Sequence, residues 1–399
     1  MKYLTLKDFN FSNKEALVRV DFNVPVDEKG RIKDDKRIRA SLPTIHYLIR
    51  KKAMVILMSH LGRPKGEVVE SLKMDHVAKR LGELLGKKVA KLDDCIGLDV
   101  EDYIDKMVPG EVVVLENLRF YKEEKENDAS FARELASLAQ VYVNDAFGTC
   151  HRQHASVDAV TRYVPSCAGF LVEKEIRDMG KTLAKPKRPF VAVMGGVKVS
   201  DKIEAINNLL KKVDKLLIGG AMMFTFLKAK GINVDKSIVE EDKVKLAKKL
   251  LKNKKIVLPV DAVVGDKFEK NAKAKTVDVE NIRGIGLDIG PKTIKLYTGI
   301  LKKAKTILWN GPMGKFEWKK FSKGTNEIAK AMARSRAATI VGGGDSAEAV
   351  EQLKLEKKMT HVSTGGGASL EFFAGKKLPA LVALEKNYRN RKRFAKFKR

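Results

Sequence analysis

Short runs of apolar and β-branched residues alternate along the chain with longer stretches whose apolar positions recur three and four residues apart. The short runs predict strands at residues 16–20, 54–58, 112–115 and 141–144 in the first half, and at 190–194, 215–218, 256–259, 306–309, 338–341 and 361–363 in the second. Between them lie amphipathic segments such as 71–85. There Met74, Val77, Ala78, Leu81, Leu84 and Leu85 share one helical face, and Gly86 stands where a left-handed C-cap is needed. Strands alternating with helices predict an α/β protein whose parallel sheets are covered on both faces.

Pro186 and Pro189 bracket a basic stretch and forbid an ordinary helix from continuing past it. Residues 170–184 therefore read as a helix connecting two α/β halves. At 399 residues the chain is long enough for two cores. The expected organisation is an N-terminal domain over 1–169, an interdomain helix and hinge over 170–186, a second domain over 187–377, and a C-terminal segment over 378–399 that returns toward the first domain. Each domain is expected to be a Rossmann-like three-layer αβα unit.

Composition narrows the class. The longest apolar stretch, 216–227, is broken by Gly219, Gly220 and Thr225, well short of the ~18 to 20 apolar residues of a membrane span. The first ten residues show no apolar core with a cleavage site, so a cytoplasmic protein without a membrane partner is expected. Cys95, Cys150 and Cys167 are far apart and form no CxxC pair, so buried or idle thiols are expected. The net charge of +29 requires an acidic partner or serves solubility. Seven lysines within 243–255 accompany apolar Val244, Ala247, Leu250 and Leu251 at helical spacing and read as a solvated helix face. Eight cations and no acid fill 386–399, with Tyr388, Phe394 and Phe397 interleaved and no apolar stripe. That tail reads as an accessory arm, with nucleic-acid binding as a secondary property of it. A monomer is expected over a dimer.

In open parallel sheets, ligands sit beyond the carboxyl ends of the strands. The segments directly after the predicted strands carry the chemistry. After 190–194 comes GGVKVSDKI, in which Gly195 and Gly196 allow close backbone approach, Ser200 can cap a helix, and Lys198 and Lys202 place two ammonium groups at the helix start. After 338–341 comes GGGDS, and after 361–363 TGGGAS, both with backbone N–H groups suited to cradle phosphate. Asp345 with Glu348 fits a capping box; a lone carboxylate in a glycine-lined pocket also suits Mg²⁺, and the metal role is favoured. No Walker-type loop, GxxxxGK followed by Ser or Thr, is present. In the first half the corresponding segments supply Asp21, Asn23, Arg37, His60, Arg63, Arg119 and Arg152. Four arginines and a histidine converging from separate strand ends describe a pocket for a small polyanion.

VRVDFNVP, SHLGRP, GGVKVSDKI, WNGPMGKFE and GGGD, in this order, resemble the phosphoglycerate kinases, and the match runs from about Val18 to about Leu384. The resemblance implies reversible transfer of the acyl phosphate of 1,3-bisphosphoglycerate to MgADP, giving 3-phosphoglycerate and MgATP, with the acid on the N-terminal domain and the nucleotide on the C-terminal one. It implies that Asp21, Asn23, Arg37, His60, Arg63, Arg119 and Arg152 bind the phosphoglycerate, and that Lys198 and Arg37 face the phosphoryl group in flight. Lys202 and Gly195 would then meet the nucleotide phosphates, and Glu317 the ribose. Gly219, Gly220 and Gly286 would wall the adenine slot, with Asn310 and Pro312 nearby. Gly343, Gly344, Asp345 and Ser346 would form the phosphate end, with Asp345 as the Mg²⁺ ligand. Three positions depart from the family pattern: Val197 in place of alanine, Lys315 in place of valine, and the basic C-terminus.

Overall fold

The computed structural model describes residues 2–28 and 30–393. The chain divides into two compact units, one built from the first 177 residues with the segment from Lys377 onward, the other from Asp178–Lys376.

The first unit is a six-stranded sheet of β1 (Glu15–Arg19), β2 (Met54–Met58), β3 (Ala90–Lys91), β4 (Val112–Val114), β5 (Val141–Asn144) and β6 (Ser166–Ala168). They stand in the order β3-β4-β2-β1-β5-β6, and every pairing is parallel. Two apolar clusters flank it. One takes Val18, Val55, Leu57, Val112, Val114 and Val143, the other Leu17, Ile56, Met58, Val113 and Tyr142. Successive residues of a strand point to opposite faces, so a strand buried on both must be apolar throughout. That requirement is why these strands read so clearly in the sequence.

The second unit repeats the plan with β7 (Phe190–Met194), β8 (Lys215–Ile218), β9 (Ile256–Val257), β13 (Thr306–Asn310), β14 (Ala338–Gly342) and β15 (His361–Val362), ordered β15-β14-β13-β7-β8-β9 and again parallel. In both sheets the strand order reverses beside the first strand, between β1 and β5 and between β7 and β13, where a crevice opens at the carboxyl ends. A small antiparallel sheet, β11-β10-β12, joins β10 (Asp261–Gly265), β11 (Ala274–Asp278) and β12 (Ile285–Ile289). The apolar pattern does not predict it, because most of β11 is exposed.

Several expectations are corrected. The helix expected over 71–85 begins at Asp75 and is preceded by a 3-10 turn at Glu70–Leu72; Gly86 does cap it, with φ 64°. The strand at 256–259 ends at Val257, before Pro259 can interrupt the ladder. The helix after β7 begins at Ile203, with Lys202 as its N-cap, and Ser200 makes no cap. The helix Gly344–Gln352 starts from Gly343 without a side-chain cap bond, so the capping box of Asp345 and Glu348 does not form.

The tail differs most from its expectation. The helix Pro379–Arg389 buries Ala380, Leu381, Ala383, Leu384 and Asn387. Asn387 Nδ2 donates to the carbonyls of Thr161 (2.7 Å) and Val164 (3.0 Å), while its Oδ1 accepts from Ser166 N–H at 3.0 Å. Tyr388 packs against the first unit's core and carries the Arg391 guanidinium over its ring at 4.3 Å. Asn387 and Tyr388 are therefore docked structure. The buried amide looks polar in sequence and hides the helical stripe. Phe394 and Phe397 lie outside the described residues.

The helix Phe170–Ala184 links the two units in sequence. Its first turn is tied to the first unit by Phe170 N–H donating to Thr44 Oγ1 (3.0 Å) and Leu171 N–H to Asp145 Oδ1 (2.9 Å). Among the described residues no helix is long and apolar enough to cross a membrane. All three cysteines are free and buried, and burial pushes their thiols up.

Candidate functional site

In the first unit the charged cluster is assembled by loops that leave the carboxyl ends of β1, β2, β4 and β5. After β1, the chain buries Asp21 and turns at Asn23. Arg37, in the first turn of the helix Lys36–Arg50, donates from Nη1 to Asp21 Oδ2 at 2.7 Å. After β2, Gly62 N–H donates to Asn23 Oδ1 at 2.9 Å, which joins the first two loops. After β4, Asn117 caps a 3-10 turn, Leu118–Phe120, and donates to Leu61 O at 2.7 Å. That turn presents Arg119, whose Nη1 donates to Gly62 O at 2.6 Å while its buried Nε has no hydrogen-bond partner. Arg152 follows β5, half-buried. Its guanidinium is held below the usual range by burial, with Asp21 opposing and Arg19, Arg63 and Arg37 adding repulsion. Asp21, Arg37, Arg63 and Arg152 are thus neighbours.

His60 lies at the floor, 2% exposed. Burial, followed by the fields of Arg19, Arg152 and Arg37, holds its imidazole well below the ordinary histidine range. Arg19 Nη2 lies 3.1 Å from His60 Nδ1. A guanidinium only donates, so Nδ1 accepts and the ring keeps its proton on Nε2. Arg19 is a residue that pattern reading does not single out, because an arginine inside VRV looks like an ordinary strand charge. It is 1% exposed, and its Nε donates to Ser156 Oγ at 2.9 Å. Ser156 Oγ in turn donates to Glu124 Oε1 at 2.7 Å, with Ser156 N–H on Oε2 at 2.9 Å. A buried carboxylate therefore balances the buried arginine through one hydroxyl. Arginines beside a neutral ring donor, with Asp21 paired to Arg37 among them, form a receptor for an anion of several charges.

In the second unit the loops after β7, β8 and β13 lie against one another. Gly195 N–H donates to Asn310 O (2.9 Å), Gly196 N–H to Pro312 O (3.0 Å), Gly220 N–H to Met313 O (2.9 Å) and Met222 N–H to Gly196 O (3.0 Å). A Cβ on Gly195 would stand 2.0 Å from Pro312 O, and one on Gly220 2.4 Å from Gly196 N. These glycines are required by the close approach of the backbones to one another. At Gly286 and Gly219 it is side chains that leave no room for a Cβ, the Phe224 ring at the first and the Met313 thioether at the second.

Lys202 and Asn310 meet at the end of β13, where Nζ donates to Oδ1, and Asn310 Nδ2 donates to Gly342 O at 3.0 Å. Burial lowers the Lys202 ammonium to about 8, against the opposing fields of Asp345 and Asp201. Asp345 is exposed in the first turn of Gly344–Gln352, and no side chain crowds the open face of Gly344. Ser346 is buried and its hydroxyl accepts from Gly311 N–H at 2.6 Å, so it braces the loop. Lys198 is exposed. Glu317 is exposed as well, and its Oε1 accepts from Lys315 Nζ at 2.7 Å; that lysine also lies 5.6 Å over the Trp318 ring. No group of three or more His, Cys, Asp or Glu that could hold a metal occurs among the described residues. One open carboxylate beside a lysine and glycine N–H groups fits a Mg²⁺ that arrives with phosphate oxygens of its own.

Two doubly wound units, one ending in an arginine-lined anion receptor and the other in glycine loops with lysines and a lone carboxylate, define a protein that handles phosphorylated anions. The phosphoglycerate kinase family model matches residues 6–376. The curated phosphoglycerate kinase of Moorella thermoacetica is 56% identical over 391 residues, covering 96% of this chain and 99% of that one. That of Dictyoglomus turgidum is 56% identical over 390 residues, covering 96% and 98%. Among solved structures, the phosphoglycerate kinase of Pyrococcus horikoshii superposes with a TM-score of 0.88 at 36% identity over 97% of this chain and 99% of its own. That of Coxiella burnetii gives 0.85 at 39% identity over 96% and 99%. The chain belongs to the phosphoglycerate kinase family and is a phosphotransferase with a carboxyl group as acceptor.

Proposed function

We propose that the protein moves a phosphoryl group reversibly between 1,3-bisphosphoglycerate and MgADP, with the acid held by an N-terminal domain over 1–169, within the first unit, and the nucleotide by a second domain over 187–377. The observation that carries this reading is the arginine cluster around neutral His60, which suits a small acid bearing both carboxylate and phosphate. Arg63, Arg119 and Arg152 bind it by charge-assisted bonds, Asp21 and Asn23 hold the cluster's geometry, and His60 donates from Nε2. Arg37 and Lys198 face the transferring phosphoryl. Phosphoryl transfer has a loose transition state, so alignment and positive charge supply most of the catalysis. The accepting carboxylate is already ionised and needs no general base; His60, held far below neutrality, is a poor one.

On the nucleotide side Lys202 meets the phosphates, Asp345 would hold Mg²⁺, and Glu317 the ribose. The metal, when bound, supplies charge neutralisation on the phosphate oxygens. Donor and acceptor belong to separate units, so in-line transfer requires a closing motion, and we assign its hinge to 170–186, about the helix Phe170–Ala184. Closure would also exclude water.

A coupled assay with 3-phosphoglycerate and MgATP tests the reading. Turnover in the ordinary range of kinases, ~1 to 100 per second, is expected. Its absence, with the folded state confirmed by circular dichroism, would refute the proposal.

A further inference from the structure

The loop that carries Lys198 is not held by its own helix. The residues at its end, Val199 and Ser200, offer backbone N–H groups at the start of a 3-10 turn that leads into the helix Ile203–Leu210. A carboxylate from elsewhere takes them. Glu240 Oε2 accepts from Val199 N–H and from Ser200 N–H (3.1 Å), and Oε1 accepts from the Ser200 hydroxyl at 2.5 Å. Three donors converge on one side chain forty residues away, and the negative charge sits where the helix start favours it.

Glu240 is itself fixed. Its N–H donates to Thr225 Oγ1 at 3.1 Å, and Thr225 is buried in the helix Met222–Ala229. The same short stretch also reaches the start of β12. Ser237 Oγ accepts from Gly286 N–H at 3.0 Å, and Asp235 Oδ2 accepts from Gly284 N–H at 2.5 Å. The segment 235–240 thus ties the start of β12, with Gly284 and Gly286, to the loop with Lys198.

We infer that Glu240 is a positioning residue that sets the loop 196–202, and with it Lys198, as the anchor of a strap linking the base side of the nucleotide pocket to its phosphate side. The inference rests on the nucleotide role proposed above for this unit. Its physical content is a choice among N–H groups: those of Val199 and Ser200 are spent on Glu240, which leaves the backbone of Val197 and Lys198 and the Lys198 ammonium to face the phosphoryl. No hydrogen bond or ion pair joins Lys198 to Glu240. Loss of the carboxylate therefore removes no charge partner of the lysine; it frees the loop that aims it.

A double-mutant cycle tests this. Glu240→Ala lowers kcat at saturating substrates by about 10-fold or more, with the nucleotide KM changed less than threefold, as expected when alignment in the transition state is lost while ground-state binding remains. Adding Glu240→Ala to Lys198→Ala costs less than a further twofold, because a lysine already absent cannot be misplaced. Glu240→Gln, which keeps an acceptor oxygen, recovers part of the loss. Losses that multiply across the cycle, or a Glu240→Ala enzyme within twofold of wild type, overturn the proposal. Hydrogen exchange supplies a readout independent of turnover: amides of 197–202 exchange faster in Glu240→Ala than in wild type, while those of β7 are unchanged. Equal exchange overturns the strap even in a chain without kinase activity, and a wild-type chain without activity overturns only the assigned function.

Discussion

The two units share a sheet plan yet present their chemistry in different ways. In the first, several ligand groups are side chains braced before any ligand arrives: Arg37 on Asp21, buried Arg119 on Gly62 O, and buried His60 on Arg19. In the second, backbone packs closely on backbone at Gly195 and Gly220, Lys202 is braced on Asn310, and the other charges that would touch a ligand, Lys198, Asp345 and Glu317, are exposed. A small acid of fixed shape rewards rigid bidentate cations, because their ordering is settled on folding. A flexible nucleotide with its own metal rewards close backbone approach and a few charges at the rim. The lesson is that equivalent strand ends can build either a side-chain receptor or a main-chain cradle, according to whether arginine or glycine follows the strand.

Substitutions sharpen the contrast, beginning with the largest effect. Lys198→Ala should lower kcat by ~10² or more with little change in either KM, the loss expected for one electrostatic stabiliser of the transition state. Steady-state kinetics within threefold of wild type would remove it from the mechanism. In the first unit, Arg152→Ala should raise the KM for 3-phosphoglycerate by about 10- to 100-fold, the range of one charge-assisted bond, and leave the nucleotide KM unchanged. A shift in both would break the comparison.

Docking of the C-terminal helix is tested by Asn387→Ala, which strands the buried carbonyls of Thr161 and Val164 and the N–H of Ser166. A loss of ~2 kcal/mol, and a melting temperature several degrees lower, is expected with nucleotide KM unaltered. An unshifted melting curve would return the segment to an accessory role.

In each unit burial raises a carboxyl far from its ordinary range, Asp145 to about 7 in the first and Asp288 to about 8 in the second. Raised in the folded state, both bind a proton that the unfolded chain has lost above pH ~4. Their stabilising protonation is complete below that pH and disappears as pH rises through 7 to 8. Calorimetry between pH 6 and 9 should show the melting temperature falling by a few degrees, less so in Asp288→Asn; a flat profile would contradict the assignment. The smallest effect is expected at Lys315→Val, which frees exposed Glu317. An exposed pair contributes about 0 to 1 kcal/mol, so the nucleotide KM should move by less than about fivefold.

Much of this was legible in the chain. Strands covered on both faces must be continuous apolar runs, and the residues directly after them are the ones a parallel sheet can offer to a ligand, so the placing of Asp21, His60, Arg119 and Asp345 just beyond strand ends was legible by position alone. What stayed hidden depends on contacts distant in sequence. Arg19 reads as a strand charge until Ser156 and Glu124 are seen beneath it, Glu240 reads as one acid among several, and Asn387 conceals a helix face because its burial is satisfied by carbonyls more than two hundred residues away. The antiparallel β10–β12 sheet escaped because its outer strand is solvent-facing and lacks alternation.

The central claim is the division of labour between a side-chain receptor for the acid and a main-chain cradle for the nucleotide. Isothermal titration of 3-phosphoglycerate and of MgADP, each into wild type, Arg63→Ala and Lys202→Ala, tests it most directly. The account predicts a crossed pattern, in which Arg63→Ala weakens the acid by ~1.5 to 3 kcal/mol and spares the nucleotide while Lys202→Ala does the reverse. Comparable losses for both ligands in either variant would contradict it.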